Sequence, residues 1–113
     1  MHDLDENLHR ALPADAWEHK LVPLLELFDV LGRRWTLRIL WELRDEPATF
    51  RGLRARCGGI SSSVLTNRLH DLRDHGLADH VPGRGYQLTA SGRGVARRVA
   101  DLSAWFLTQR DRT

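Results

Sequence analysis

The sequence predicts a mostly α-helical domain that carries one small β-hairpin. Apolar residues recur at helical spacing in successive stretches from residue 21 onward, and residues that start or stop helices bound most of these stretches. The exception is ADHVPGRGYQL at 78–88, where strand-forming residues flank a Pro82-Gly83 turn pair. With 113 residues, 42% of them apolar, the chain is long enough for one domain with a real core.

Two helices are predicted at the start of this domain. The helix over 21–31 has one apolar face, carries Pro23 in its first turn and ends at Gly32. The helix over about 34–44 is apolar around much of its circumference. Such a helix is expected to be central, with Trp35 and Trp41 in the core rather than in a ligand stack.

Two further helices follow in close succession. Thr49 can cap a short helix over 50–57, which Gly58-Gly59 stops. The next helix is predicted at about 61–75, with Ser61 as its N-cap, apolar residues arranged as a hydrophobic staple and a glycine at its stop. Two short helices separated by a glycine turn form a candidate helix-turn-helix.

A hairpin at 78–88, directly after these helices, would make the winged form of a helix-turn-helix. Thr89 can cap a last helix, predicted to run from residue 90 to about 109. Its apolar stripe consists of Val95, Val99, Leu102 and Phe106, with Trp105 beside them. Residues 1–20 are predicted to be an arm or a short helix, and residues 21–110 the winged helix-turn-helix domain.

The helix predicted at 61–75 has a polar stripe opposite its leucines. A DNA-recognition helix enters the major groove with its N-terminal half, where the candidates are Ser61, Ser62, Ser63, Thr66, Asn67 and Arg68. Small hydroxyls permit close approach, asparagine bonds adenine, threonine meets the thymine methyl group, and arginine reaches guanine or phosphate. The alternative is a solvated polar face on a surface helix.

Basic charge is concentrated in the part of the chain that holds this helix. Residues 1–30 carry seven acidic and two basic residues, a net charge of −5, whereas residues 31–113 carry 15 arginines and 8 acids, a net charge of +7. Guanidinium groups suit phosphates and guanine edges. The arginines predicted to contact phosphate are Arg34, Arg51, Arg54 and, at the tip of the hairpin, Arg84. Each could instead be an ordinary surface charge.

The sequence lacks the motifs of an enzyme active site, a disulfide or a metal site. The sequence holds no Gly-rich phosphate loop, nucleophile motif or paired-carboxylate constellation, so no enzyme is predicted. Its one cysteine, Cys57, permits neither an intramolecular disulfide nor a Cys-rich zinc site, and the six histidines lack metal-ligand spacing. No metal or cofactor is therefore expected. The absence of an apolar run of about 20 residues and of an export signal favours the cytoplasm.

The chain resembles the HxlR family of bacterial transcriptional regulators, winged-helix proteins related to MarR. The resemblance spans residues 21–110 and rests on four segments in the right order: GRRWT at 32–36, FRGL at 50–53, GIS with LTNRL and GL within 59–77, and YQLT with Gly92 at 86–92. The chain departs from the family in its short wing. It also carries Val22-Pro23 where many members have Cys-Pro, so thiol sensing by that route is not available.

The resemblance implies a homodimer that binds double-stranded DNA at an inverted repeat, and a repressor is the expected role. The dimer interface would lie on the N- and C-terminal helices, at Trp17, Val95, Val99, Leu102, Trp105 and Phe106. If the protein uses a small-molecule effector, the placement of the aromatic residues, rather than the resemblance, predicts a pocket at this interface near Trp17, Trp35 and Trp105. The alternative is a winged-helix module for protein–protein contact without specific DNA binding, which the short wing and the acidic first 30 residues favour.

Overall fold

A computed structural model describes residues 21–112 of the chain. The chain divides after Gly32 into two units, which are described separately. The described part contains five helices and one hairpin: α1 (Val22–Leu31), α2 (Thr36–Glu42), α3 (Phe50–Cys57), α4 (Ser62–Asp74), β1 (Ala78–Val81), β2 (Gly85–Leu88) and α5 (Ala90–Asp111). The prediction of a mostly helical fold with one hairpin is confirmed. The predicted segment 1–20 lies outside the described residues.

In the first unit, α1 begins and ends where the sequence predicted. Pro23 lies in the first turn, where its missing N–H costs no helical hydrogen bond. The amide of Gly32 donates to the carbonyl of Phe28 at 2.9 Å and closes the last turn. Three large apolar side chains of α1, those of Leu24, Leu25 and Phe28, are exposed within the described residues.

The second unit begins with a turn that shortens α2 relative to its prediction. Trp35 precedes the helix with a φ of 78°, a left-handed conformation that is unfavourable for a large side chain. The helix therefore starts at Thr36, two residues later than predicted. Ile39 and Leu40 are buried, but Trp41 is 51% exposed, so the prediction that Trp41 belongs to the core is wrong. The Arg44 guanidinium lies over its ring, 3.6 Å from the centroid.

The helix-turn-helix consists of α3, a glycine turn and α4, and its caps are as predicted. The Thr49 hydroxyl accepts a hydrogen bond from the Gly52 amide, and the Ser61 hydroxyl accepts one from the Val64 amide. Gly58 and Gly59 have φ values of 49° and 85°, which let the chain reverse between the helices.

The C-terminal end of α4 forms a Schellman motif. Gly76 has a φ of 70°, its amide donates to the Arg73 carbonyl, and the Leu77 amide donates to the Leu72 carbonyl. Because Leu77 is buried, this motif also directs the chain from α4 into β1.

The hairpin, here called the wing, pairs β1 and β2 in antiparallel register from Ala78 opposite Leu88 to Val81 opposite Gly85. The Arg84 amide donates to the Val81 carbonyl at 3.0 Å across the turn. Gly83 has a φ of 80°, as the third position of a type II turn requires.

A third chain segment, which the sequence did not predict, pairs with the wing. Ala48 and Tyr86 exchange two backbone hydrogen bonds, of 2.9 and 2.8 Å, in an isolated antiparallel bridge. A Cβ atom on Gly85 would overlap the Ala48 carbonyl, so only glycine allows this approach. The segment before α3 thereby pairs with β2 close to the turn of the wing.

A single set of apolar residues from all of these elements forms the core of the second unit. Its most completely buried large side chains are Ile39, Leu40, Leu53, Leu65, Leu69, Leu72 and Leu88. The first turn of α5 joins this core through Gly92, the one buried residue of that helix. The core therefore holds the helix-turn-helix on α2 and α5 and leaves one face of α4 open.

Candidate nucleic-acid interface

The polar face predicted on α4 is open to solvent. Five of the six predicted DNA-contact residues of this segment are exposed: Ser61, Ser62, Ser63, Thr66 and Asn67. The opposite face is closed, since Leu65, Leu69 and Leu72 are at most 2% exposed. The buried leucines hold α4 on the core, so its polar side faces outward. A helix that binds in a DNA groove requires this orientation.

The exposed side chains differ in how much of their hydrogen-bonding capacity is used. The Thr66 hydroxyl donates to the Ser62 carbonyl at 2.8 Å, which leaves its methyl group and its lone pairs outward. The hydroxyls of Ser61 and Ser63 lie 3.3 Å apart. The Asn67 amide has no hydrogen-bond partner among residues 21–112, so both its donor and its acceptor are available to a base edge.

Arg68 lies on the flank of α4 rather than on its open face. Its Nε donates to the Arg34 carbonyl at 3.1 Å, and its Nη1 donates to Asp71 Oδ2 at 2.9 Å. Arg33 forms a second ion pair with the same Asp71 oxygen, at 2.8 Å. The guanidinium predicted to contact DNA is therefore engaged within the protein, and its base contact stays a prediction.

Asp71 is a residue that sequence analysis missed. Burial of its carboxyl opposes ionisation, but hydrogen bonds and charge from Arg33 and Arg68 outweigh that effect and lower the pKa of Asp71 below its usual value. The carboxylate is therefore ionised at neutral pH. Its spacing of three residues from Arg68 was the available sequence signal, because such residues neighbour each other on a helix surface.

The other predicted arginines, Arg34, Arg51, Arg54 and Arg84, lie outside α4 and are all exposed. Arg51, on α3, and Arg84, at the tip of the wing, are exposed and form no ion pair among the described residues. Arg54 is exposed, but its Nε donates to the Ile60 carbonyl at 3.2 Å and braces the turn before α4. The Arg34 guanidinium lies 5.6 Å from the centroid of the Trp35 ring. Of the predicted arginines, Arg51 and Arg84 are therefore the two whose guanidinium groups form no hydrogen bond, ion pair or ring contact within the described residues.

The far end of α4 is occupied by internal pairing. His70 Nε2 lies 3.2 Å from Asp74 Oδ2, and His75 Nδ1 lies 2.8 Å from the Asp71 carbonyl oxygen. Arg73 is exposed. Asn67 in the N-terminal half and Arg73 near the C-terminal end are exposed side chains of α4 without a partner among the described residues, and of the two only Asn67 lies where a recognition helix meets base edges.

An apolar surface lies away from α4, on α5. Leu102, Trp105 and Phe106 are 62%, 59% and 55% exposed, and Val95 and Val99 are half-buried. Of the predicted interface residues, Trp17 lies outside the described part. These side chains form a contiguous apolar stripe. Such a stripe indicates an interaction surface, whereas single exposed apolar residues do not.

A groove of about 760 Å³ lies between α2 and α5, and we call it the α2–α5 groove. Its walls are mostly apolar and include Leu37, Leu40, Trp41, Val99, Ala100, Ala104 and Leu107. Three arginines also line it, Arg44, Arg93 and Arg97, together with Asp45. Neither Trp35 nor Trp105, predicted beside an effector pocket, lines this groove.

Cys57 and the histidines show no sign of a reactive or metal site. Cys57 is 3% exposed, and burial is the main cause that raises the pKa of its thiol. Among residues 21–112, no group of three His, Cys, Asp or Glu side chains could hold a metal ion. Within the same residues, no helix combines the length and apolar character needed to cross a membrane.

Comparisons with known proteins agree with this geometry. The sequence profile of the HxlR-like helix-turn-helix family matches residues 30–113. The HTH-type transcriptional regulator YtfH of Escherichia coli is 32% identical over 89 residues, which cover 74% of this chain and 71% of that protein. The fold, the open polar face of α4 and this similarity all indicate a helix-turn-helix transcriptional regulator.

Two solved structures are also similar. Quinone-bound YodB from B. subtilis superposes with a TM-score of 0.69 at 26% identity, over 75% of this chain and 96% of that one. A possible HxlR family transcriptional factor from Thermoplasma volcanium superposes with a TM-score of 0.66 at 30% identity, over 77% of this chain and 83% of that one. The chain therefore belongs to the HxlR-like helix-turn-helix family and is a transcriptional regulator with a DNA-binding domain, not an enzyme.

Proposed function

We propose that the protein binds an inverted repeat in double-stranded DNA as a homodimer and represses transcription there. The observation that carries this proposal is the open face of α4, where Asn67 and Thr66 are exposed above a stripe of buried leucines. Free arginines at Arg51 and Arg84 would hold the flanking phosphates. A twofold dimer would present two copies of α4 about 34–36 Å apart, one turn of B-DNA. Such a regulator acts on cytoplasmic DNA.

The proposal is tested by a mobility shift of the wild-type protein on DNA from upstream of its own gene. We expect a complex with two protomers per fragment whose affinity falls steeply with salt, because several phosphate contacts release counterions. Addition of the protein to an in vitro transcription reaction from that fragment should lower the yield. Binding no tighter than to scrambled DNA would contradict the proposal and favour the protein-contact alternative.

The dimer is supported by the apolar stripe on α5. Replacing Leu102 with Glu places a charge in this stripe and should convert a dimer into a monomer, because an unpaired charge is costly in an apolar interface. Sedimentation velocity measures the change, and circular dichroism checks that helix content is kept. Ser91→Glu adds the same acid at the exposed start of α5 and is the control. A Leu102→Glu protein that sediments as the wild type does would exclude this interface.

The α2–α5 groove supports a site for a small-molecule effector. Its volume falls in the range of small-molecule pockets, about 300–1,000 Å³. The apolar walls suit an aromatic or branched ligand, and the three arginines suit an acidic group on it. The quinone named for YodB is one ligand of a related structure. Trp41 is the one tryptophan within residues 21–112 that lines the groove, so a ligand-induced fluorescence change that is lost in Trp41→Phe would report binding there.

A further inference from the structure

The contacts of Asp71 join two segments that are far apart in the chain. Asp71 Oδ2 accepts from Arg68 Nη1 on its own helix and pairs with Arg33 in the turn before α2. Arg68 Nε in turn donates to the carbonyl of Arg34, in the same turn. The side chains of Asp71 and Arg68 are only 18% and 22% exposed, so water competes weakly for these bonds. We call this group of contacts the α4 clamp.

The turn that the clamp holds is strained. Trp35 has a φ of 78°, which L residues with large side chains rarely adopt. The next residue, Thr36, is completely buried, and its hydroxyl has no hydrogen-bond partner within residues 21–112. A backbone in such a conformation persists only when its surroundings hold it there. Two of the bonds that do so come from α4, through Arg68 and Asp71.

The leucines of α4 decide which face of the helix is buried. The hydrophobic effect that buries them is not directional. Hydrogen bonds between a flank of the helix and a fixed backbone carbonyl are directional. The clamp supplies such bonds at Arg68, one residue after Asn67, whose amide must meet a base edge within a few tenths of an ångström.

We propose that Asp71 is a positioning residue for DNA recognition, which fixes α4 against the turn at Arg33–Trp35 so that the exposed polar face meets the bases in register. Asp71 touches no DNA in this role. Arg68, considered from sequence as a base contact, acts mainly through the clamp. The inference rests on the proposed function, because it assigns a cause to specific binding by α4.

The test compares Asp71→Ala with Asp74→Ala. Both substitutions lie on α4, remove one negative charge and introduce the same helix-favouring residue. Asp74, however, is exposed, and its one partner in the described part of the chain is His70. Both changes should strengthen non-specific DNA binding to the same extent, because each removes one negative charge. The informative quantity is therefore the ratio of operator affinity to scrambled-DNA affinity, measured by mobility shift at fixed salt. We expect Asp71→Ala to lower this ratio about tenfold and Asp74→Ala to leave it unchanged.

A second measurement needs no DNA. The Thr36 amide donates to the Arg33 carbonyl at 3.2 Å within this turn. Its hydrogen exchange should accelerate in Asp71→Ala and stay at the wild-type rate in Asp74→Ala, since only the former releases the turn. If Asp71→Ala does not fold, Asp71→Asn keeps the shape without the charge and should show a smaller loss of the same ratio. An unchanged ratio in the folded Asp71 variant overturns the inference. If the wild-type protein shows no preference for operator DNA, the proposed function is wrong instead. The exchange rates would then still show whether the α4 clamp holds the turn.

Discussion

Replacing Gly92 with alanine is expected to destabilise the second unit by about 3 kcal/mol or more, the upper range for overpacking a core. A Cβ atom at this position would overlap the carbonyl oxygen of Leu77 and lie 2.9 Å from its carbon. That carbonyl cannot move aside easily, because it accepts the Thr89 amide and Leu77 is buried. The first turn of α5 would have to leave the core.

Gly94→Ala is the matched control for this prediction. Gly94 lies two residues further along α5, and the nearest atom to a Cβ there is Nη1 of the flexible Arg98 side chain, at 3.2 Å. Alanine in a helix interior is favoured over glycine by about 0.5–1 kcal/mol, so this variant should gain stability. Urea unfolding followed by circular dichroism measures both. If Gly92→Ala unfolded at the wild-type midpoint, the close packing of α5 on Leu77 would be incorrect.

A triple variant of Ser63, Thr66 and Asn67 to alanine is expected to lose operator affinity by about 100-fold or more. A well-placed side-chain contact to a base discriminates by about 1–3 kcal/mol, and three neighbouring contacts are removed at once. None of the three residues is charged, so binding to scrambled DNA and the dependence of affinity on salt should change little. The caps at Ser61 and the leucine stripe remain, so the fold should be kept.

The control for the triple variant is Thr108→Ala on α5. The Thr108 hydroxyl donates to the Ala104 carbonyl at 3.0 Å, the same bond to the fourth preceding residue that Thr66 makes to Ser62. Thr108→Ala therefore removes the same kind of exposed helical threonine, but at a site outside α4. Mobility shifts on operator and scrambled fragments measure the effect. Full operator affinity in the triple variant would remove the base-reading role from this face of α4.

The elements that the sequence predicted well are those specified by neighbours in the chain. The starts of α3 and α4 follow from Thr49 and Ser61, whose hydroxyls bond amides only three residues away. The turn of the wing follows from Pro82-Gly83 in the same way. Local hydrogen bonds and backbone preferences can be read from residue types, so these boundaries needed no knowledge of the rest of the fold.

The predictions that differed from the structure involve contacts between distant segments. The apolar residues around α2 predicted a buried Trp41, but the packing of the second unit encloses Ile39 and leaves Trp41 beside a groove. The bridge between Ala48 and Tyr86 joins residues on either side of the helix-turn-helix. Hydrophobic periodicity indicates which residues prefer to be buried. Whether enough neighbouring side chains surround such a residue to bury it depends on the assembled fold.

The sequence by itself determined that α4 would be a capped helix with buried leucines on one side and Ser61 to Asn67 on the other, since helical periodicity places those residues. The tertiary structure alone decided that Arg68 turns away from that face. Its partner carbonyl belongs to Arg34, 34 residues earlier, and its carboxylate partner also binds Arg33. The direction of a long charged side chain depends on which fixed acceptors surround it, and those acceptors come together only when α2 and α4 pack.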